Sequence, residues 1–439
     1  MQAKHAIFTR PTWLNKPLLL AFAACWLGGI FDGMDSSLMH LVLPLAITEL
    51  TGQTLQQASH IAAYVSALFL VGWMLGGIVF GYVGDKLGRV KAMMLSILLY
   101  SLFTGLGGLA HTWQELALYR FLTGVGIGGE LVTIATFVSE VWPKPSRAMA
   151  MGALLTSYQV GVFLAGALHW FIPDWRGTFF VGAIPAVLVL VLRSFVSESE
   201  EWIEAKRAEN HCLAQLAAEP TALAQATTHP YRTLFSSLYR RDVVVGSLAF
   251  GSLLIGYWAS LAWIPSWMAG LPNLPEWGRS VAAMWQGLAA VVGCLLSGWL
   301  CQRLGRRWGI AVPALLGIGA SAWLFAGHST FTTEVLVANA VLGLTIGAMQ
   351  AGLYIYLPEL FPTLIRATGT GFCLNAGRLV TAIAVLNMGL VVQVLGGYGQ
   401  AALAFSASYG LLVVAMLLGR ETKEASHPMV TVNQLVPAP

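Results

Sequence analysis

The sequence predicts an all-α membrane protein with twelve transmembrane helices in two six-helix pseudo-repeats. Three observations carry that prediction. Hydrophobic residues make up 57% of the 439-residue chain and charged residues only 10%, with a mean hydropathy of +0.70, whereas a soluble protein carries roughly 25% charged residues. Twelve apolar segments can be marked along the chain. One short, charged, glycine-rich loop occurs twice, as GYVGDKLGRVK at Gly81–Lys91 and again 217 residues later as GWLCQRLGRRW at Gly298–Trp308. Each copy lies between two apolar segments.

In chain order the expected spans are 18–45, 60–83, 92–111, 114–138, 148–171 and 177–196, then 243–269, 279–301, 308–327, 333–357, 367–394 and 399–419. Each is long enough for a helix rising ~1.5 Å per residue to cross ~30 Å of hydrocarbon. Lipid offers no partner to an open backbone, so helices are the economical choice. The first span follows a basic N-terminus (Lys4, Arg10, Lys16) but contains Asp32 and Asp35 and lacks a small-x-small cleavage site. It reads as a retained helix rather than a removed leader. The first, fourth, fifth, seventh and eleventh spans are interrupted by glycine, polar residues or charge, and are expected to line something wet. The expected division is a six-helix bundle at 1–196, a connecting loop at 197–242 and a second bundle with a short tail at 243–439. The connector opens with SESEEWIEAKRAEN and reads as a short solvated helix and a linker without chemistry of its own.

Lys and Arg set the orientation. On this topology 20 of the 24 basic residues fall on one side; the exceptions are Arg120, Arg176, Arg279 and Arg378. The basic side is expected to be cytoplasmic, with both termini and the connector there. The repeat reaches beyond the loop: Glu140, Pro143 and Arg147 match Glu359, Pro362 and Arg366 at an offset of 219 residues. Parallel halves related by an axis along the membrane normal are one known transporter design. The net charge of +4 is no nucleic-acid signal, and no nucleic-acid partner is expected. The five cysteines show no metal-ligand spacing, no nucleotide-binding Gly-x-x-x-x-Gly-Lys-Ser/Thr run occurs, and no constellation for catalysis is found. Neither a metal nor a cofactor is expected.

At these residues the chain resembles the major facilitator superfamily. GYVGDKLGRVK matches the family's signature between its second and third helices, and RFLTGVGIGGE at Arg120–Glu130 its fourth-helix signature. Among its branches the chain is similar to the metabolite:proton symporters. FDGMD in the first span resembles the DGxD element of the aromatic-acid and sialate branches. SEVWPK and WRGTFFVGAIPAVLVLVLRSFVSESEEWIEAK look most like the sialate branch, while NAGRLV around Arg378 is closer to the aromatic-acid branch. The resemblance implies a twelve-helix carrier, a small organic anion and protons as its cargo, and a bacterial inner (plasma) membrane as its site. A monomer is expected.

An ionisable group at mid-membrane needs a partner, a wet cavity or a role. Asp32 and Asp35 share nearly one face of a helix, and two close carboxylates cannot both stay ionised easily. They are candidates for proton coupling, with Glu130 as a further one; the bland readings are solvated groups at the mouth, pairing with an Arg, or an interhelical hydrogen bond. Arg120 and Arg378 break the repeat, since their equivalents are Asn339 and Gln159. The guanidinium fork suits a carboxylate, so both are candidate substrate ligands, the alternative being structural ion pairs. Tyr158, Gln159, Asn375, Trp263, Gln286 and Tyr354 are candidates to complete a pocket, with Trp258, Trp267 and Tyr356 beside them. From the resemblance, Asp85, Arg89, Glu140, Arg147, Arg306, Glu359 and Arg366 take a gating role through ion pairs between helix ends, with Gly81 and Gly88 permitting close approach or turns. The rival readings are a neutral-solute (sugar) or drug carrier of the same fold, in which Arg378 is locked in a structural pair, and a membrane sensor that no longer transports.

Overall fold

The computed structural model describes residues 16–54, 59–172, 174–216, 229–275 and 277–423. Among the described residues the secondary structure is helical, without strands. The first half comprises α1 (Lys16–Thr51), α2 (Ser59–Leu87), α3 (Arg89–Gly107), α4 (Trp113–Val141), α5 (Arg147–Phe171), α6 (Trp175–Val181) and α7 (Ala186–Phe195). The connector carries α8 (Glu200–Leu216) and the single turn α9 (Pro230–Leu234). The second half comprises α10 (Arg240–Ala269), α11 (Gly278–Leu304), α12 (Arg306–Ala326), α13 (Thr333–Glu359), α14 (Arg366–Ala376), α15 (Arg378–Leu386), α16 (Met388–Leu395), α17 (Tyr398–Ser406) and α18 (Ser408–Leu418).

Among the described residues nine helices are long and apolar enough to cross a membrane. The seventh, α10, runs 30 residues without a break, with its charges Arg240, Arg241 and Asp242 confined to its start. Two crossings differ from the uninterrupted spans expected. The sixth is broken between α6 and α7 at Gly182–Pro185, where proline cannot continue the hydrogen-bond ladder. The eleventh is broken twice, after Ala376 and after Leu386. The glycine-rich first, fourth and fifth spans, in contrast, stay continuous, because tight packing compensates the ~1 kcal/mol that a helical glycine forgoes. Large apolar side chains are left bare around the bundle, Phe171 (81%), Val394 (73%) and Leu102 (57%) among them, the surface that lipid tails cover.

The two halves repeat one packing scheme. In the first, α2 runs along α4; in the second, α11 runs along α13. Both crossings rest on small residues: a Cβ on Gly76 would lie 1.9 Å from the Val125 carbonyl, and one on its repeat equivalent Gly293 would lie 2.0 Å from that of Leu344. The duplicated loop also recurs as geometry. Gly88 (φ 107°) and Gly305 (φ 86°) turn the chain where a side chain is strained, and Arg89 and Arg306 then open α3 and α12. The halves meet where α5 packs along α11 and where α2 packs along α14 and α15. There α2 and α14 touch almost backbone to backbone: a Cβ on Gly371 would stand 2.3 Å from the Gly77 carbonyl oxygen.

Candidate functional site

Two charged constellations sit at different depths. At the basic end the candidate gating residues form a network across the halves. Arg89 is fully buried. Its Nη1 donates to Asp85 Oδ1 (2.9 Å) and to the Gly84 carbonyl (2.6 Å), its Nη2 to Glu140 Oε1 (2.8 Å) and to the Thr363 carbonyl of the other half (2.6 Å). Asp85 accepts from the backbone N–H groups of Thr368 (2.7 Å) and Ala367 (3.1 Å), the free donors of the first turn of α14. Gly81 lets α2 approach that turn, since a Cβ there would lie 2.5 Å from the Ala367 carbonyl. Arg366 Nη1 completes the ring, 3.1 Å from Glu140 and 3.0 Å from Glu201.

Glu201 belongs to α8, so the connector carries chemistry that a solvated linker was not expected to have. Burial alone would raise its pKa, but the Arg366 guanidinium, the Thr363 hydroxyl and Arg147 outweigh this and hold it below the ordinary glutamate value. Glu198, just before α8, accepts from the backbone N–H groups of Arg89 (3.0 Å) and Val90 (3.1 Å). In the second half Arg306 pairs with Glu359 (2.8 Å), and Glu421 accepts from the N–H groups of Arg306 (2.8 Å) and Arg307 (3.2 Å). Arg147 makes no ion pair among the described residues; its Nε donates to the Trp142 carbonyl (3.2 Å), as Arg366 Nε does to that of Phe361 (3.3 Å).

The second constellation lies at mid-depth. Asp35 accepts from the Thr104 hydroxyl (2.8 Å) and faces Arg120 Nη1 at 3.4 Å. Arg120 also stacks on Phe179, 4.3 Å from the ring centroid, so it is engaged within the first half. Asp32 is fully buried, yet neither of its carboxylate oxygens accepts a hydrogen bond. Glu130, fully buried as well, reaches to within 2.3 Å of where a Cβ on Gly28 would stand. Neither Glu130 oxygen has a hydrogen bond of normal geometry, and its neighbour, the buried Tyr100 hydroxyl, is equally unsatisfied.

Arg378 opens α15, directly after the break at Gly377. Its Nε donates to Asn375 Oδ1 (2.9 Å) and its guanidinium lies 4.0 Å from the centroid of the Trp73 ring. Among the described residues no carboxylate lies within ion-pair distance of it, although Asp32, Tyr158, Tyr257 and Tyr354 are within electrostatic reach. Arg378 lines a central cavity between the halves with Trp73, Leu131, Tyr158, Phe250, Tyr257, Trp258, Gln350 and Tyr354. The cavity is about 20 Å³, room for one or two waters.

Of the expected pocket residues, the structure brings together Arg378, Tyr158 and Tyr354. Asn375 holds Arg378 from behind. Arg120, Gln159 and Gln286 do not line the cavity, and the side chain of Trp263 lies outside the described residues. The fourth, fifth, seventh and eleventh spans contribute to the lining as expected, but the second and tenth do so too, and the first does not. Sequence reasoning missed Trp73, Tyr257 and Gln350, because an aromatic or amide within a long apolar run carries no sign of the direction it faces. It also missed Glu198, for which a signal existed: Glu421 stands 223 residues later, at the equivalent point of the second half.

Comparison with known proteins places this geometry. The family model described as Major Facilitator Superfamily matches residues 25–296. The chain is 27% identical over 395 residues to the cis,cis-muconate transport protein of Acinetobacter baylyi, covering 89% of this chain and 91% of that one. It is also 27% identical over 422 residues to the sialic acid transporter NanX of Escherichia coli, covering 92% and 94%. Among solved structures, the proton:xylose symporter XylE bound to 6-bromo-6-deoxy-D-glucose superimposes with a TM-score of 0.74 at 17% identity, over 93% of this chain and 98% of that one.

Proposed function

The chain belongs to the Major Facilitator Superfamily of membrane transporters, and on that premise we propose that it is a proton-coupled symporter importing a small monocarboxylate. It is a carrier and not an enzyme. One observation carries the proposal: Arg378 faces the central cavity with no carboxylate among the described residues paired to it. A buried guanidinium left open in this way is an anion site awaiting its anion. A neutral-solute carrier would have no use for that charge. The relatives named for muconate and for sialic acid support an organic acid as cargo.

Coupling follows from where Asp32 stands. Its carboxylate and that of the substrate compete for the field of Arg378. With a proton on Asp32, the guanidinium is free to hold the substrate; with Asp32 ionised, two anions share one cation, and binding is disfavoured. Proton and substrate therefore load together. Glu130 and the Asp35–Arg120 pair extend the proton path along α4. The basic side is taken as cytoplasmic, and the ring around Arg89 and Arg366 as the gate that holds that side shut while the other admits substrate. Rocking the halves about the cavity then exchanges access.

The test is uptake into liposomes. An inward proton gradient should drive accumulation of a monocarboxylate, and Arg378→Ala should abolish it. Uptake indifferent to the gradient, or unchanged carboxylate affinity in that variant, overturns the reading.

A further inference from the structure

We propose that Asn375 is a positioning residue which, together with Trp73 of the opposite half, sets Arg378 for its anion only while α2 is seated on α14, so that the anion is gripped in one access state and let go in the other. This rests on the reading of Arg378 as the anion anchor. Asn375 is buried on α14 and engages both ends of its amide. Its Nδ2 donates to the Gly371 carbonyl (2.8 Å), and its Oδ1 accepts from Arg378 Nε (2.9 Å). With its inner N–H engaged, the guanidinium presents its two outer nitrogens, the fork that a carboxylate meets edge-on.

The first half touches this assembly twice, one helical turn apart on α2. Gly77 lies under the Asn375 amide: a Cβ there would stand 1.9 Å from Nδ2. Four residues earlier, the Trp73 ring holds the Arg378 guanidinium 4.0 Å from its centroid, a cation–π contact. Each side of the contact is fixed to its own half. A Cβ on Gly128 of α4 would lie 2.0 Å from the Trp73 carbonyl oxygen, so Trp73 travels with α2 and α4. A Cβ on Gly377 would lie 2.3 Å from the Gly251 Cα on α10, so the break that opens α15 travels with the second half. When the halves rock, Asn375 and Arg378 stay together while Trp73 and Gly77 leave them. The guanidinium then loses its ring and its backstop, and recovers rotamer freedom that binding has to remove again. The anchor is preorganised while α2 is seated and slack once it parts, which favours uptake at the face opposite the basic end and release at the basic end.

The test is sided transport by the full chain in right-side-out and inside-out membrane vesicles. Labelled benzoate, lactate and N-acetylneuraminate are the probes, and the one carried best is followed through the variants. KM at the face opposite the basic end should be about tenfold below KM at the basic face. Trp73→Leu should raise the first value about tenfold and leave the second unchanged, erasing the asymmetry, while Trp73→Phe, which keeps a ring face, should retain it. Asn375→Leu should raise KM at both faces with kcat held, because Asn375 stays with Arg378 in either state. Asn375→Asp hands Arg378 a carboxylate of its own and should abolish saturable uptake without lowering Tm. Equal wild-type KM values, or a Trp73→Leu effect that is the same at both faces, overturn the state-dependent setting. Unchanged KM in Asn375→Leu overturns the role of Asn375. If Arg378→Lys leaves KM unchanged at both faces, or no probe is carried by protein whose thermal transition is intact, the anchor reading itself fails.

Discussion

The basic end and the middle of this molecule treat buried charge in opposite ways. At the basic end Arg89 is surrounded by Asp85, Glu140 and two backbone carbonyls, and Asp85 by the first N–H groups of α14. At mid-depth, among the described residues, Asp32 and Glu130 have no hydrogen bond of normal geometry, and Arg378 faces a cavity with no carboxylate paired to it. The charges of both regions are buried, so both bear a desolvation penalty. The first region offsets it throughout, the second only at Asp35 and Arg120. On the proposed function, the difference separates charges that hold a conformation from charges that await a ligand or a proton.

Substitutions at the two levels should therefore move stability in opposite directions. Arg89→Ala strands Asp85 without its cation, leaves Glu140 with Arg366 alone, and should destabilise the fold by about 3–5 kcal/mol, read as a lowered Tm in detergent. Asp32→Asn removes an unsatisfied charge, so Tm should hold or rise, while the gradient-driven accumulation ratio in liposomes falls to one and substrate exchange persists. A fall in Tm with Asp32→Asn as large as with Arg89→Ala would erase the distinction. Gly88→Ala tests the frame on which Arg89 stands. A Cβ there sits at φ 107° and 2.2 Å from Glu198 Oε2, and the change should lower stability by about 1–3 kcal/mol.

The smallest effect is expected at the rim. Glu201 is part-exposed, and its pairing with Arg366 is worth at most about 1 kcal/mol, so Glu201→Gln should shift Tm slightly. The pH dependence has a definite sign. The pKa of Glu201 is depressed in this state, so its contribution is complete above the ordinary glutamate value of 4.5 and is lost as pH falls below it through the depressed one. Tm should thus show a small acid-side loss below that value which the Gln variant lacks, and no change from this group near neutrality.

The crossings could be read from the chain because hydropathy is a local property, and the duplicated loop marked the halves because glycine and arginine repeat at fixed spacing. The break at Gly182–Pro185 was harder, since the apolar run continues through it, whereas the one at Gly377 falls where Asn375 and Arg378 interrupt the eleventh span. At the site, Arg378 announced itself as a charge that breaks the repeat. A pairing of Arg120 with one of the two aspartates was also open in the sequence, but spacing along one helix did not fix that Asp35 rather than Asp32 makes it. The role of Glu201 was hidden for a different reason: a carboxylate in a charged run looks solvated until the helix that presents it is docked on Arg366.

The crossing of α2 over α14 has a kinetic consequence. Where Gly77 meets Gly371, main chain stands against main chain, with the Asn375 side chain lying over Gly77. Few rotamers have to disengage at such a joint, so it should add little friction to the proposed swing. On the proposed gating role, turnover should be set by how fast the Arg89–Glu140–Arg366 ring lets go. Gly371→Ala should accordingly act as a brake, slowing every half-cycle alike, with or without cargo, while leaving equilibrium affinity in place.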